Sequence, residues 1–565
     1  MKKQTIKGFA FIALAGTMVT SCDLLKDLEY TVTPNPLEMH GDSVRVKVDI
    51  KFPEKGIRKK ASAEITPMLG STALKSVTVQ GEKATGNGNV IQFKPGGNVS
   101  YNDVVLYKPE YENTDLKVTA TVSKGGKVKK QVGEIKIADA TIVTPFMVNK
   151  DYKVIFEKDA FNRITEESTS AQINYEKSKS VVRPTELKEK DIAELQAWLT
   201  KAQADPKISL KTISITGYAS PEGETGKNSS LSTERAEAGK TTVINLAKAA
   251  KNEKAQTEIF SLSGRGEDYD GFKRELEKST MNNDEKQLVI RVLEMHKDPE
   301  TRETEMRNMG KTFKYLDDNI FPKLRRAEIT VTYDKTGYTD EELKTISLSK
   351  PETLKLEELL FAATLTNDLN EKLSIFNAAI KVAPEDIRAY NNAGAIYFLQ
   401  NKMPEAKAQF EKANSIKENA VSKNNLAAVA GVSGDKEKAK QLLAQAKGAG
   451  SEVNYNMGII NIIEGNYNDA LSNLGSENTF NKALALVLSG SFDQATSTID
   501  GSKDKESAQG YYIKAIVGAR TKKADVAVSN LKNAIAKDAS LKAKAAKDRE
   551  FIKLFEDANF SSIVK

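Results

Sequence analysis

Apolar and polar residues alternate along the chain from about residue 30 to residue 145, the pattern of half-buried β-strands. The stretch SVRVKVDIKF at residues 43–52 shows the alternation most clearly, and DLKVTATV at residues 115–122 repeats it. Clusters of proline, glycine and asparagine separate such runs and mark turns between strands. Regularly spaced short strands of this kind predict an N-terminal β-sandwich over residues 30–145.

The pattern changes between about residues 150 and 335, where strand-like and helix-like runs follow one another, which is typical of an α/β domain. Ser232 is predicted to be the N-cap of a helix that carries Arg235. The stretch at about 268–323 is long and is predicted to form a helical insert. The strands are predicted at residues 171–176, 211–216, 258–267 and 324–333.

From residue 352 to residue 565 the sequence repeats a helix-pair pattern, clearest in AYNNAGAIYFLQNKMPEAKAQFEKANSI. Small residues such as Gly394 and Ala406 recur with large ones such as Phe410, a spacing that resembles the tetratricopeptide (TPR) repeat. This resemblance implies an all-α TPR solenoid whose face binds partner proteins or peptides, or which serves only as a rigid spacer. Later copies carry Ala427, Ala439, Gly458, Ala470, Ala483, Ala495, Ala515 and Ala527, and a weaker first copy carries Leu359, Phe376 and Ala379.

The N-terminus reads MKKQTIKGFAFIALAGTMVTSC, with lysines, then a short apolar run, then small residues before the single cysteine. This order predicts a signal peptide at residues 1–21. The residues before Cys22 resemble a bacterial lipobox, which implies lipid attachment (diacylglycerol and a fatty acyl chain such as palmitate) at Cys22 and a tether at residues 22–29. A buried cysteine after an ordinary signal peptide is the alternative. We expect a protein anchored in the bilayer of the cell outer membrane, with the periplasmic or surface face undecided.

The stretch TGYASPEGETGKNSSLSTERA at residues 216–236 resembles the OmpA-like domain, whose family pattern reads G-H-T-D-S-x-G and then N-x-x-L-S-x-x-R-A. The pair Arg325 and Arg326 resembles the family's late Arg-Arg, and the form GYASPEG resembles domains of lipoproteins from Bacteroidota. The resemblance implies that residues 150–335 form an OmpA-like domain of the peptidoglycan-binding type. The matching positions are Gly217, Gly223, Asn228, Leu231, Ser232, Arg235 and Ala236.

In that family an aspartate of the turn and the helix arginine together hold the diaminopimelate of peptidoglycan. Arg235 matches the arginine here, but Ser220 stands where the aspartate is expected, and a hydroxyl supplies no charge for the ligand's ammonium. Glu222 and Glu224 are the carboxylates that the same loop offers instead. The resemblance therefore implies a degenerate peptidoglycan or anion site formed by Ser220, Glu222, Asn228 and Arg235.

The composition argues against catalysis and nucleic-acid binding. One cysteine and two distant histidines leave little material for a metal site or a catalytic triad. The sequence contains neither a G-x-S-x-G nor a Walker-type motif. The net charge of +7 is mild, and no basic run is interleaved with aromatic residues. We therefore expect a non-enzymatic protein without cofactor, metal or nucleic-acid partner.

These modules together predict a non-catalytic, lipid-anchored scaffold or accessory subunit of an outer-membrane machine for assembly, secretion or surface uptake. Its TPR array would bind other proteins of that complex. The alternative is an anchor that links the outer membrane to the cell wall by binding peptidoglycan.

Overall fold

The structure is a computed structural model that describes residues 24–565. The predicted signal peptide and Cys22 lie outside the described residues. The described chain folds into two compact units: the first combines residues 24–158 with residues 368–565, and the second comprises residues 159–367. Between residues 24 and 565, no helix has both the length and the apolar character that a membrane span requires.

The first unit begins with two β-sheets. In the four-stranded sheet β1, β3 and β2 lie side by side and β8 pairs with β3; in the six-stranded sheet the order is β10, β9, β4, β6, β7, and β5 pairs with β4. Buried residues of both sheets form one hydrophobic core, which confirms the predicted β-rich N-terminal region. The strands are β1 (Glu29–Thr33), β2 (Met39–His40), β3 (Ser43–Phe52), β4 (Ala61–Leu69), β5 (Thr72–Ala73), β6 (Val77–Gly81), β7 (Asn89–Ile91), β8 (Gly97–Leu106), β9 (Thr114–Lys124) and β10 (Lys127–Ala140).

The described part of the predicted tether folds onto this sheet region instead of hanging free. Leu25 is buried in the shared core and forms an isolated bridge with Ile57. The backbone N–H of Lys26 donates to the carbonyl of Gly56 at 2.9 Å. Leucine burial explains the difference, because an apolar side chain gains about 1.5–3 kcal/mol on leaving water.

The second unit is built on a four-stranded sheet in the order β11, β14, β12, β13, in which β12 and β13 run parallel and the other pairs run antiparallel. Helices α1 and α2 contribute to the hydrophobic core on this sheet. All four predicted strands are present. The elements are β11 (Ile164–Asn174), α1 (Lys190–Ala204), β12 (Ile208–Ala219), α2 (Thr225–Ala249), β13 (Phe260–Glu267), α3 (Tyr269–Lys278), α4 (Asn283–Met295), α5 (Pro299–Asn308), α6 (Lys311–Asn319), α7 (Phe321–Leu324), β14 (Arg326–Thr336), α8 (Asp340–Ser349) and α9 (Leu356–Ala362).

The prediction that Ser232 caps the helix of Arg235 is wrong, because α2 begins at Thr225. Ser232 lies inside the helix, where its hydroxyl donates to the carbonyl of Ser229 at 2.8 Å and accepts the backbone N–H of Gly266 at 2.9 Å. The Ser232 hydroxyl thus bonds back to the preceding turn of the helix, as serines inside helices do, and also to β13. Arg235 is therefore not near the helix N-terminus.

The segment predicted to be a helical insert forms helices α3 to α7 between β13 and β14. These helices have a hydrophobic core of their own, which includes Phe272, Leu293 and Phe321. Phe272 and Phe321 are tilted against each other with ring centroids 5.5 Å apart. Because its core is separate from the sheet core, the insert is a distinct layer of the second unit.

The rest of the first unit is a stretch of antiparallel helix pairs that resembles a TPR solenoid. The pairs α11/α12, α13/α14, α15/α16, α17/α18 and α19/α20 follow the predicted copies. The helices are α10 (Leu369–Val382), α11 (Ile387–Leu399), α12 (Met403–Ile416), α13 (Ala420–Val432), α14 (Lys436–Gln445), α15 (Ser451–Glu464), α16 (Tyr467–Leu474), α17 (Phe480–Leu488), α18 (Phe492–Asp500), α19 (Ala508–Arg520), α20 (Ala524–Lys537), α21 (Leu541–Ala545) and α22 (Ala558–Val564).

Two boundaries differ from the sequence-based ones. Residues 150–158, assigned to the central domain, contact the helix pairs of the first unit, and residues 352–367, assigned to the repeats, belong to the second unit. The weak first copy is therefore divided, with Leu359 in α9 and Phe376 in α10. The weak copy was assigned to one repeat because any amphipathic helix carries large and small apolar residues at similar spacing.

Replacing Gly394 with leucine is expected to cost about 1–3 kcal/mol of stability by overpacking. A Cβ atom at Gly394 would lie 2.7 Å from Cδ1 of Phe410 and 3.2 Å from the carbonyl oxygen of Ala406. Thermal melting followed by circular dichroism measures the loss. Ala408→Leu is the matched control, because Ala408 is exposed on the same helix as Phe410. Equal melting of both variants would contradict the assigned repeat register.

Candidate functional site

The guanidinium of Arg235 is directed at main-chain carbonyls of its own unit. Only 1% of the residue is exposed, and it donates to the carbonyls of Lys179 at 3.0 Å, Tyr218 at 2.8 Å and Glu176 at 3.3 Å. Its Cζ lies 5.4 Å from the ring centroid of Tyr175. Burial lowers the pKa of Arg235 to about 10, so it stays charged at neutral pH. In this arrangement Arg235 ties the loop between β11 and α1 to the end of β12.

Ser220 and Glu222 lie together against Arg325. Nε of Arg325 donates to Oγ of Ser220 at 3.3 Å and to Oε1 of Glu222 at 2.9 Å, and its Nη2 lies 3.0 Å from Oδ1 of Asp317. Glu222 is 7% exposed, and its Oε2 has no hydrogen-bond partner among the described residues. A buried carboxylate oxygen without a partner is costly, so Oε2 of Glu222 has the capacity to accept from a further donor.

Asn228 closes the same loop. Its Nδ2 donates to the carbonyl of Ser220 at 3.1 Å, to the carbonyl of Gly223 at 3.0 Å and to Oε1 of Glu267 at 2.9 Å. The structure thus brings Ser220 and Glu222 of the loop before α2 together with Asn228 in the first turns of α2. Across residues 24–565, no group of three or more His, Cys, Asp or Glu side chains has a metal-binding arrangement.

A second site, which the sequence analysis missed, lies on the helix pairs of the first unit. Six asparagines of the first helices α11, α13, α15 and α17 form a continuous row, here called the asparagine ladder. Each of them is almost wholly buried, with at most 3% exposed: Asn391 0%, Asn392 3%, Asn424 0%, Asn425 0%, Asn456 0% and Asn481 1%. Buried carboxamides need partners for both the oxygen and the nitrogen.

Those partners are main-chain groups of residues 148–158, here called the strap, which lies extended along the ladder. The carboxamide of Asn392 accepts the N–H of Glu157 at 2.7 Å and donates to its carbonyl at 3.0 Å. Three further asparagines make the same two-pronged contact. Asn425 accepts the N–H of Ile155 at 2.7 Å and donates to its carbonyl at 2.8 Å. The corresponding distances are 2.7 and 2.8 Å between Asn456 and Lys153, and 2.8 Å for both bonds between Asn481 and Asn149.

The two remaining asparagines, Asn391 and Asn424, lie between the four that each make two bonds to the strap. Nδ2 of Asn391 donates to the carbonyl of Ile155 at 3.0 Å, and Nδ2 of Asn424 donates to the carbonyl of Lys153 at 3.1 Å. Neighbouring carboxamides also bond each other, as Asn425 does with Asn391 at 2.9 Å. These bonds link five of the six carboxamides, from Asn392 to Asn456, into one network, and chained hydrogen bonds polarise one another.

Side chains of the strap enter the spaces between the helices. Tyr152 is 5% exposed and packs among alanines and leucines of α13 and α14, with its ring against Gly431. A Cβ atom at Gly431 would lie 2.3 Å from Cζ of Tyr152. Val154 packs against the cluster that includes Phe410 and Val429. Burial raises the pKa of Tyr152 to about 12.

The sequence carried a signal for the ladder. Asn392, Asn425, Asn456 and Asn481 each stand two positions before the small residue that marks a repeat copy, namely Gly394, Ala427, Gly458 and Ala483. Asparagine is unfavourable inside a helix. Its recurrence at the same position of successive repeats therefore indicates that these carboxamides share a hydrogen-bonding role.

Comparison with known proteins adds little to this geometry. No protein-family model matches the chain, and no curated protein matches it either. Solved structures with similar helical stretches include the APC/C hetero-tetramer Cut9–Hcn1, with a TM-score of 0.31 and 13% identity over 40% of this chain and 45% of that chain. The match thus spans less than half of that chain's length.

Two other solved structures also have similar helical stretches. A tetratricopeptide repeat protein from Parabacteroides merdae has a TM-score of 0.28 and 14% identity over 37% of this chain and 90% of that chain. Yeast Tom70 has a TM-score of 0.26 and 14% identity over 66% of this chain and 88% of that chain. Such low scores carry no argument, so the repeat architecture rests on the helix pairs themselves.

Proposed function

We propose that this protein is a non-catalytic scaffold or accessory subunit of an outer-membrane machine, anchored by lipid at Cys22, that binds partner proteins through its helix pairs. One observation carries the binding role. The asparagine ladder holds an extended segment by its main chain, which is how a repeat array engages a peptide.

The membrane location and the bacterial phylum in this proposal are supported by sequence resemblance. The lipobox-like residues before Cys22 support the lipid anchor, and the match at residues 216–236 supports an OmpA-like central domain of the Bacteroidota type. Crosslinking in intact cells, followed by identification of the crosslinked proteins, tests the scaffold role. Recovery of outer-membrane complex subunits is expected, and their absence from wild-type cells that express the protein normally would contradict it.

Cys22→Ser is expected to move the protein from the membrane to the soluble fraction, because several acyl chains anchor stably and their loss removes the anchor. Cell fractionation followed by immunoblotting measures the distribution. Ser21→Ala is the matched control, since it changes the neighbouring residue and keeps the thiol. A Cys22→Ser protein that stays in the outer membrane would show that lipid at this cysteine is not the anchor.

Cell-wall binding by the second unit is a second candidate function, favoured by the unpartnered Oε2 of buried Glu222. That oxygen offers a carboxylate acceptor for a ligand ammonium in the loop where the family aspartate is replaced by Ser220. Wild-type protein is expected to co-sediment weakly with purified peptidoglycan sacculi, and Glu222→Gln should abolish it. Glu224→Gln is the control, because Glu224 is exposed and pairs with Lys227. Equal sedimentation of both variants would remove this candidate.

A further inference from the structure

We infer that the asparagine ladder is an exchange site: the chain closes it with its own strap, and an extended segment of a partner protein enters by displacing the strap. This inference rests on the proposed scaffold role and names the surface and the partner chemistry. The displacing segment carries an aromatic residue at the Tyr152 position, a β-branched residue two places later, and no proline at the gripped positions.

The ladder recognises main chain rather than side chains. At Asn149, Lys153, Ile155 and Glu157 the contacts are made by the backbone N–H and the backbone carbonyl. Every residue except proline presents both groups. An extended segment of another protein therefore satisfies the ladder equally well, provided that the gripped positions are not proline.

Selectivity comes from the side chains that point between the gripped residues. The ring of Tyr152 fills a pocket that exists because residue 431 is glycine, and Val154 fills a neighbouring apolar space. The strap also carries charge: Asp151 accepts from Oη of Tyr455 at 2.7 Å, and Nζ of Lys153 lies 5.1 Å from the Tyr455 ring centroid. A partner segment is thus selected by an aromatic and an apolar side chain two residues apart, with a charged or polar residue beside the aromatic one.

The strap competes with any partner because it belongs to the same chain. A covalently joined segment acts at an effective concentration in the millimolar range. A free peptide with the same contacts therefore binds weakly to the wild-type chain, whose strap occupies the ladder. It binds much more tightly to a variant whose strap lacks the Tyr152 side chain. The closed ladder is the resting state, and weakening of the strap opens it.

The test uses the full-length chain and a fluorescently labelled peptide of sequence VNKDYKVIFEK, which is the strap itself. The opened variant is Tyr152→Ala, and the milder Val154→Ala serves if the first does not fold. Fluorescence anisotropy should show saturable binding to the opened variant and at least tenfold weaker binding to wild type. The peptide should also raise the melting temperature of Tyr152→Ala, whereas a peptide with alanine in place of its tyrosine should not.

The blocked control combines Tyr152→Ala with Gly431→Val, so that the new side chain occupies the tyrosine pocket. Binding to this variant should fall at least tenfold below that of the opened variant. Failure of the folded opened variants to bind, or equal binding by opened and blocked variants, would overturn the exchange site. Equal binding by wild type would overturn its closure by the strap. If crosslinking in cells recovers partners while the peptide does not bind, the scaffold role stands and this inference falls.

Discussion

Replacing Tyr152 with alanine is expected to lower the free energy of unfolding of the first unit by about 3–5 kcal/mol, the usual cost of removing a large buried aromatic ring. The ring is 5% exposed and fills the space against Gly431. Its loss leaves a cavity between α13 and α14 and loosens the strap that the ladder holds. Urea unfolding followed by circular dichroism measures the change.

Tyr152→Phe is the matched control for this prediction. Oη of Tyr152 is buried and has no hydrogen-bond partner within residues 24–565. Removing a buried hydroxyl without a partner costs no hydrogen bond and relieves its desolvation, so Tyr152→Phe should be as stable as wild type or more stable. A large loss in the phenylalanine variant would mean that the hydroxyl, rather than the ring, holds the strap in place.

Replacing Arg520 with methionine is expected to cost about 3–5 kcal/mol, because it leaves the buried carboxylate of Glu550 without its cation. Nε of Arg520 contacts Oε2 of Glu550 at 2.8 Å, and its Nη2 lies 2.6 Å from Oε1 of Glu550 and 3.6 Å from Oε2 of Glu38. The Glu550 side chain is 1% exposed and also accepts the hydroxyl of Thr144. The cluster joins the sheet region to the last helices of the first unit.

The charges around Arg520 support this expectation. Burial acts to lower the pKa of Arg520, but Glu550 and Glu38 outweigh it and keep that pKa above the ordinary value. Lys51→Met is the control, since Lys51 and Glu29 form an exposed pair at 2.9 Å and such pairs contribute little. Melting temperature measured by calorimetry should fall clearly for Arg520→Met and hardly for Lys51→Met. Equal shifts would show that burial of the Glu550 pair does not matter.

The elements that were predicted best from the sequence are those in which one face is buried, because burial of one face produces a regular pattern of apolar residues. In β3, Val44, Val46, Val48, Ile50 and Phe52 are all at most 1% exposed, as their alternation predicted. The repeat copies were equally visible, because the small residues at Gly394 and Gly458 are required by contacts to Phe410 and Leu474. Such patterns are local, so one sequence is enough to expose them.

What the sequence did not predict depends on contacts between distant residues. The loop motif indicated that Ser220, Glu222, Asn228 and Arg235 belong together, but not that Arg325 would pair with Glu222 or that carbonyls would take up Arg235. The strap was missed for the same reason. Its apolar run YKVIF fits an ordinary strand, and nothing local shows that its partners are carboxamides instead of another strand.

The strap also imposes an order on synthesis. Glu157 precedes its partner Asn392 by 235 residues, and Asn149 precedes Asn481 by 332 residues. At translation rates of roughly 5–20 residues per second, the apolar run YKVIF waits on the order of 10–70 s for the helices that receive it. Throughout that interval it is an unpaired strand able to join other nascent chains. Its charged neighbours Lys150, Asp151, Glu157 and Lys158 therefore act as gatekeepers against aggregation until the repeats emerge.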